Sequence, residues 1–333
     1  MMKRLLVLMA LACGLAWPAA AEEMDKVSVG LVITLSQSPY YIALEKGYFA
    51  TERIEPAEAS FRGAQDSVSS LATGQLDISL GALNAGFFNA ANKGLDLRVV
   101  AALGIQPSPV SSTPLLARKD LWDSGAIKSG ADLKGRIVAT NTPGSIPEYL
   151  LTIILERYGM SLKDVNETML GFPQMVVALR NKAVDAAFIG EPLATMAIKQ
   201  GSAALVVPEA GTGAGEITTV VFFSGKFLRE RAGVGERFLR ALVRAAHETQ
   251  GPYNKNPELV PLIVKASKLD PTAIQDCNAF AFDPNLDIAK FVDSLHRQES
   301  VHMKNGRLDY KEPLDLAKVV DASLVHKAAA SLK

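Results

Sequence analysis

The chain repeats itself at a nearly fixed offset, and this limits the folds open to it more than any other feature. The run SLATGQLDISLGALNAG carries Leu71, Gly74, Asp77 and Gly81, and ALRNKAVDAAFIGEPLA carries Leu179, Asp185 and Gly190 at matching places. Asp77 lies 108 residues before Asp185 and Gly81 lies 109 before Gly190. Upstream, VSVGLVITLSQSPYYIALEKGYF and RIVATNTPGSIPEYLLTIILERYGM share an order of apolar run, polar loop and helix, with Pro39 again 108 before Pro147. Gln65 and Gln174 follow the next strand of each copy.

Each copy reads as strand, loop, helix, strand, helix, strand. The runs Val27–Ile33 and Ile137–Thr140 are short and apolar, as expected of strands covered on both faces. Tyr41, Leu44 and Tyr48 in one helix, and Leu150, Ile153 and Ile154 beside Arg157 in the other, recur at helical spacing. Alternating strands and helices predict an α/β fold with mostly parallel sheets in two similar lobes. The last third reads as helical. GERFLRALVRAAHETQ aligns Phe238, Leu242, Ala245 and Thr249, and Asn256-Pro257, Asp270-Pro271 and Asp283-Pro284 each combine a capping side chain with proline at a first helical position.

In open parallel sheets a ligand sits at the carboxyl ends of the strands, where helix-start amides lack internal partners. Two lobes facing each other would bring two such loop sets onto one small molecule. The first copy offers Ser36-Gln37-Ser38, then Phe61-Arg62-Gly63-Ala64-Gln65, then Gly81-Ala82-Leu83-Asn84. The second offers Asn141-Thr142-Pro143-Gly144-Ser145, Phe172-Pro173-Gln174 and Gly190-Glu191-Pro192. Small polar residues let backbone approach a ligand closely.

The opening MMKRLLVLMALACGLAWPAAA has a basic start, a short apolar run and small residues at its end. It predicts a secretory leader over residues 1–21, cleaved after Ala21, and hence a periplasmic location; lipid attachment at Cys13 is the alternative. Without Lys3 and Arg4, the 35 basic residues of the chain fall to 33 against 35 acidic ones. A near-neutral chain with no basic run argues against nucleic acid as a partner. Cys277 is the one cysteine beyond the leader, so no internal disulfide is expected, and it reads as a buried bystander.

With these pieces in order, the sequence resembles the nitrate/sulfonate/taurine type of periplasmic solute-binding protein, a group that includes thiamine-precursor binders. SPYYIALEKGYFATERIEP, GAQDSVSSLATGQLDIS, LKGRIVATNTPGSIPEYLLTIILERYGMSLKDV, ALRNKAVDAAFIGEP and NGRLDYKEPLDLAKVVDASLVHKA carry the resemblance across nearly the whole chain beyond the leader. It implies a type II periplasmic-binding-protein fold with two crossover strands, for which TPLLARKDL and ITTVVFFSGKFL are the candidates. Lobe I would then comprise residues 22–113 and 223–333, and lobe II residues 114–222. The function implied is capture of a small organic or inorganic anion for an ABC importer by a monomer that meets permease subunits in the inner membrane. A pyrimidine-like heterocycle as ligand, or a ligand-sensing subunit of a membrane receptor, are the alternatives.

The expected ligand contacts are Ser36, Gln37, Ser38, Tyr40, Arg62, Gly63, Leu83, Asn84, Thr142, Gly144, Ser145, Glu191 and Thr218. Arg62 would pair with an anion through its planar donor fork, or else sit solvated at a loop edge. Glu191 would cap a helix beginning at Pro192, or face an amino group of the ligand. One of Tyr40 and Tyr41 should face the cleft and the other the core, since neighbours on a helix diverge by about 100°. Phe87, Phe88 and Gly47-Tyr48-Phe49 read as structural, and Asp77 and Asp185 as turn or cap residues.

No catalysis is expected. The chain has no Gly-x-Ser-x-Gly, and His247, His296, His302 and His326 show no metal-ligand spacing, so neither a metal nor a cofactor is predicted. The Gly211–Gly215 run GTGAG lacks the lysine and hydroxyl pair of a phosphate loop. A relative of the family builds a thiamine pyrimidine with a cysteine-rich segment, and this chain has none.

Overall fold

The computed structural model describes residues 23–61 and 65–332. The proposed leader, Cys13, Arg62 and Gly63 lie outside the described residues. Ten strands are defined among those described: β1 Asp25–Leu31, β2 Ile54–Ser60, β3 Ile78–Ala82, β4 Leu97–Ala102, β5 Leu115–Arg118, β6 Ile137–Thr140, β7 Asn166–Met169, β8 Ala186–Phe188, β9 Ala203–Leu205 and β10 Thr219–Ser224. They form two sheets, ordered β2-β1-β3-β10-β4 and β7-β6-β8-β5-β9.

The two orders coincide when β1, β2, β3 and β4 are matched with β6, β7, β8 and β9, and β10 with β5. Within each sheet four strands run in one direction, the first three of the order pairing parallel. The fourth in the order is antiparallel to both neighbours and comes from the other side of the chain's crossing. The 108-residue repeat is therefore a repeat of sheet topology. Residues 219–222, assigned above to lobe II, lie in β10 and so belong to the first sheet.

The repeated aspartates hold equivalent joints. Asp77 Oδ2 accepts from the Ser28 amide at 2.9 Å, and Asp185 Oδ2 accepts from the Ile137 amide at 2.9 Å, so each aspartate, just before its sheet's central strand, ties that strand to its neighbour β1 or β6. Their carbonyls accept from Ser224 and Arg118, at the far end of β10 and of β5.

Apolar residues fill both faces of each sheet. Helices Ser38–Glu45, Gly225–Glu248 and Leu259–Ser267 cover one face of the first, with Tyr40, Phe49, Phe223 and Phe238 in their shared core. Phe87, Phe88 and Phe222 lie on the other face. Helix Ile146–Arg157 covers one side of the second sheet, and helices Phe172–Arg180 and Leu193–Lys199 the other. Cys277 is free and buried, and burial pushes its thiol well up from the usual range.

Of the three proline-marked helix starts, Asp270 caps Pro271–Asp276 through the Ala273 amide at 2.7 Å. Asn256 lies just before Leu259–Ser267 and accepts from the Glu258 amide. No helix begins at Pro284: Asp283 instead accepts from the Asn285 and Asp287 amides, closing a loop. A capping residue before proline marks a turn as readily as a helix when no apolar stripe follows at once.

Candidate functional site

Where the carboxyl ends of the two sheets face each other, the loops leave a hollow of about 710 Å³, its open mouth included. Thr34, Ser36 and Gln37 reach it from the turn after β1, and Ala82 and Asn84 from the end of β3. The second sheet contributes the equivalent places: Asn141, Thr142 and Ser145 after β6, and Gly190 and Glu191 after β8. Thr113 and Thr218 line it from the two crossings. Phe172 and Phe280 supply aromatic walls.

Local hydrogen bonds hold most of these side chains. Asn84 Oδ1 accepts from the Phe87 amide at 3.0 Å, capping helix Ala85–Asn92, while its Nδ2 donates to the Ala82 carbonyl. Thr34 and Ser36 hydroxyls pair at 2.7 Å. Thr218 Oγ1 donates to the Gly104 carbonyl at 3.0 Å. Gln37 Nε2 donates to the Leu80 carbonyl at 2.9 Å, which fixes the amide, and Oε1 is left without a partner among the described residues.

Glu191 caps a helix, and it also stands on the wall of the hollow. It is 3 % exposed, lines the hollow, and caps helix Leu193–Lys199, taking the Thr195 amide and hydroxyl at 2.9 Å each. The Asn278 amide adds a longer contact at 3.4 Å. Burial pushes its carboxyl up from the usual glutamate range, against the donors that favour the charge.

Four expected contacts stand elsewhere. Tyr40 and Tyr41 are both core residues, because helix Ser38–Glu45 is packed against the sheet and against helices from the chain's last third, leaving no face toward the cleft. The Tyr40 hydroxyl donates to Glu58 at 2.8 Å. Ser38 is fully buried and donates to the Leu35 carbonyl at 2.7 Å, closing the turn that precedes its helix. Leu83 packs into the apolar cluster with Phe87. Gly144 has φ 65° and touches the opposite lobe: its carbonyl accepts from the Ala85 amide at 3.0 Å, and an added Cβ would lie 2.3 Å from Ala85 Cβ.

Sequence reasoning missed Val32, Thr34, Thr113, Thr219 and Phe280, all on the hollow's wall. Thr34 adjoins a loop already singled out. Thr113 and Phe280 come from segments outside the repeat, so no spacing points to them.

No group of three or more His, Cys, Asp or Glu among the described residues could hold a metal ion, and no helix among them is long and apolar enough to cross a membrane.

Two sheets of matched topology, helices on both faces and a hollow between them define a periplasmic-binding-protein fold. The chain belongs to the NMT1-like family, whose sequence model matches residues 20–263. Solved structures carry the same fold. The alkanesulfonate-binding protein of Xanthomonas axonopodis pv. citri, bound to MOPS, superposes with a TM-score of 0.71 at 18% identity, over 90% of this chain and 99% of that one. The periplasmic nitrate-binding protein of Synechocystis PCC 6803 gives 0.74 at 16%, over 93% of this chain and 90% of that one. A Candida albicans protein described as having the generic periplasmic binding protein fold gives 0.65 at 15%, over 90% and 97%.

Proposed function

We propose that this protein is the extracytoplasmic solute-binding component of an ABC-type importer, holding one small molecule between its lobes and presenting it to permease subunits. The observation that carries this is the convergence of equivalent strand-end loops from both half-molecules on a single hollow. Binding of this kind needs no chemistry. Several contacts of modest strength, with water excluded, reach micromolar affinity at about −8 kcal/mol.

A small anion is the first ligand class. Helices Ser38–Glu45, Ala85–Asn92, Ile146–Arg157 and Phe172–Arg180 all begin at the hollow's wall, and helix starts favour negative groups. Glu191 is the one charged side chain among the described wall residues. Its raised pKa eases the neutral form that an anionic neighbour requires. The same residue supports a second reading, an amino-bearing heterocycle between Phe172 and Phe280, with the fixed Gln37 Oε1 as a further acceptor.

Native mass spectrometry of freshly purified protein, followed by thermal shifts with sulfonates, nitrate, aromatic carboxylates and aminopyrimidines, tests both. A ligand at a hundred times its Kd should stabilise the fold by about 2.7 kcal/mol. Shifts from uncharged heterocycles alone would discard the anion. A protein that carries no small molecule and answers to none of the panel is not this kind of binder.

A further inference from the structure

A second hollow, about 870 Å³ with its open side, lies behind the first. Its wall is mixed: Pro107, Pro109, Val110, Pro252 and Phe282 give it an apolar strip, beside Gln250, Asn254 and Lys255. Phe280 belongs to the walls of both hollows, and it alone of the described residues does so. This shared side chain is 6 % exposed, so the two hollows meet at a buried ring.

The backbone around Phe280 is fastened on either side. Ile105 and Ala281 exchange amide–carbonyl bonds at 2.9 and 3.0 Å. The Asn278 carbonyl accepts from Ser112 Oγ at 2.7 Å, and its amide reaches Glu191. These anchors come from the first crossing and from the rim of the ligand hollow itself. The backbone beside the ring is therefore anchored independently of it, and shortening the ring would enlarge the shared wall without removing any of the bonds that set the rim.

We propose that Phe280 is the partition that sets ligand length: the wild-type hollow takes compact solutes, and the second hollow is the space an apolar tail would enter if the ring were absent. This rests on the reading that the ligand binds between the lobes. The ligand class excluded by Phe280 is a polar head bearing an unbranched hydrocarbon tail. Such a tail would lie along the apolar strip of prolines and Phe282.

The test uses two probe series on the full-length protein without its leader: n-alkanesulfonates and n-alkylamines from one to eight carbons, followed by calorimetry and thermal shift. Wild type should bind short members and weaken as the chain lengthens. Phe280→Ala, which also removes an aromatic wall of the ligand hollow, should weaken the shortest members but reverse the trend with length, tightening by up to about fourfold for each methylene that enters the second hollow, the factor equivalent to ~0.8 kcal/mol per buried CH₂. Phe280→Leu, which retains most of the buried volume, guards against a variant that unfolds, and its preferred length should fall between the other two. If all three proteins bind with the same dependence on chain length, the partition role is wrong while the interlobe site stands. If none binds any member of either series while wild type is stabilised by a ligand that Glu191 and Gln37 substitutions do not affect, the site itself is misplaced and this inference falls with it.

Discussion

His302 is fully buried between Phe88 and Tyr149, with neither ring nitrogen hydrogen-bonded to any described residue. Burial, aided by the Arg307 charge, pushes its pKa down to about 4 from an ordinary 6.5. The unfolded chain thus binds a proton more readily than the folded one between those values, so stability is complete above pH 6.5 and declines as pH falls toward 4. The drop should be on the order of 3 kcal/mol, at ~1.4 kcal/mol per pKa unit, and His302→Leu should flatten it in urea titrations run from pH 7 to 4. Glu191→Ala should cost about 1 kcal/mol through loss of a helix cap, whereas Glu191→Gln retains an acceptor and should lose less; chemical denaturation separates the two. At this scale the sequence told less than the fold. The side chain that faces the cleft was misjudged at Tyr40 because helical divergence says only that neighbours point apart, and a helix enclosed on every side has no outward face.

Between elements, one tie across the lobes is ionic and partly buried. Arg307, in the chain's last turn-rich segment, donates through Nε to both oxygens of the fully buried Glu148 at 3.1 and 3.0 Å, and through Nη2 to Glu167 at 3.2 Å. Its own carbonyl accepts from Asn89, on helix Ala85–Asn92 of the first lobe. Removing one partner of a buried pair leaves the other charge uncompensated, so Arg307→Ala should destabilise by about 3 kcal/mol. Arg307→Lys should recover only part, since a point charge cannot reproduce the planar fork; both follow from equilibrium unfolding. Gly144 acts at a second joint. Gly144→Val, with its clash against Ala85 and its left-handed backbone, should leave each lobe folded but hold them apart, giving a larger radius of gyration in solution scattering and weaker ligand binding. Helix boundaries were legible where a cap, a proline and an apolar stripe coincide, as at Asp270, and not where the stripe is missing, as at Asp283.

For the molecule as a whole, the repeat was the most legible feature, because equal spacing in sequence becomes equal order in two sheets. What the sequence could not reveal is the set of walls contributed from outside the repeat, Phe280 and Thr113 among them, which meet the hollow only through long-range contacts. The strand exchange between sheets has a further consequence. The second sheet is drawn from one unbroken stretch, β5 to β9, while the first has a slot between β3 and β4 that only β10 fills. A fragment of residues 111–217 should therefore unfold cooperatively on its own, and residues 23–112 should not; circular dichroism melts of the two pieces would decide. During synthesis, the half that emerges first must wait, its slot between β3 and β4 unfilled, until the later half has already passed.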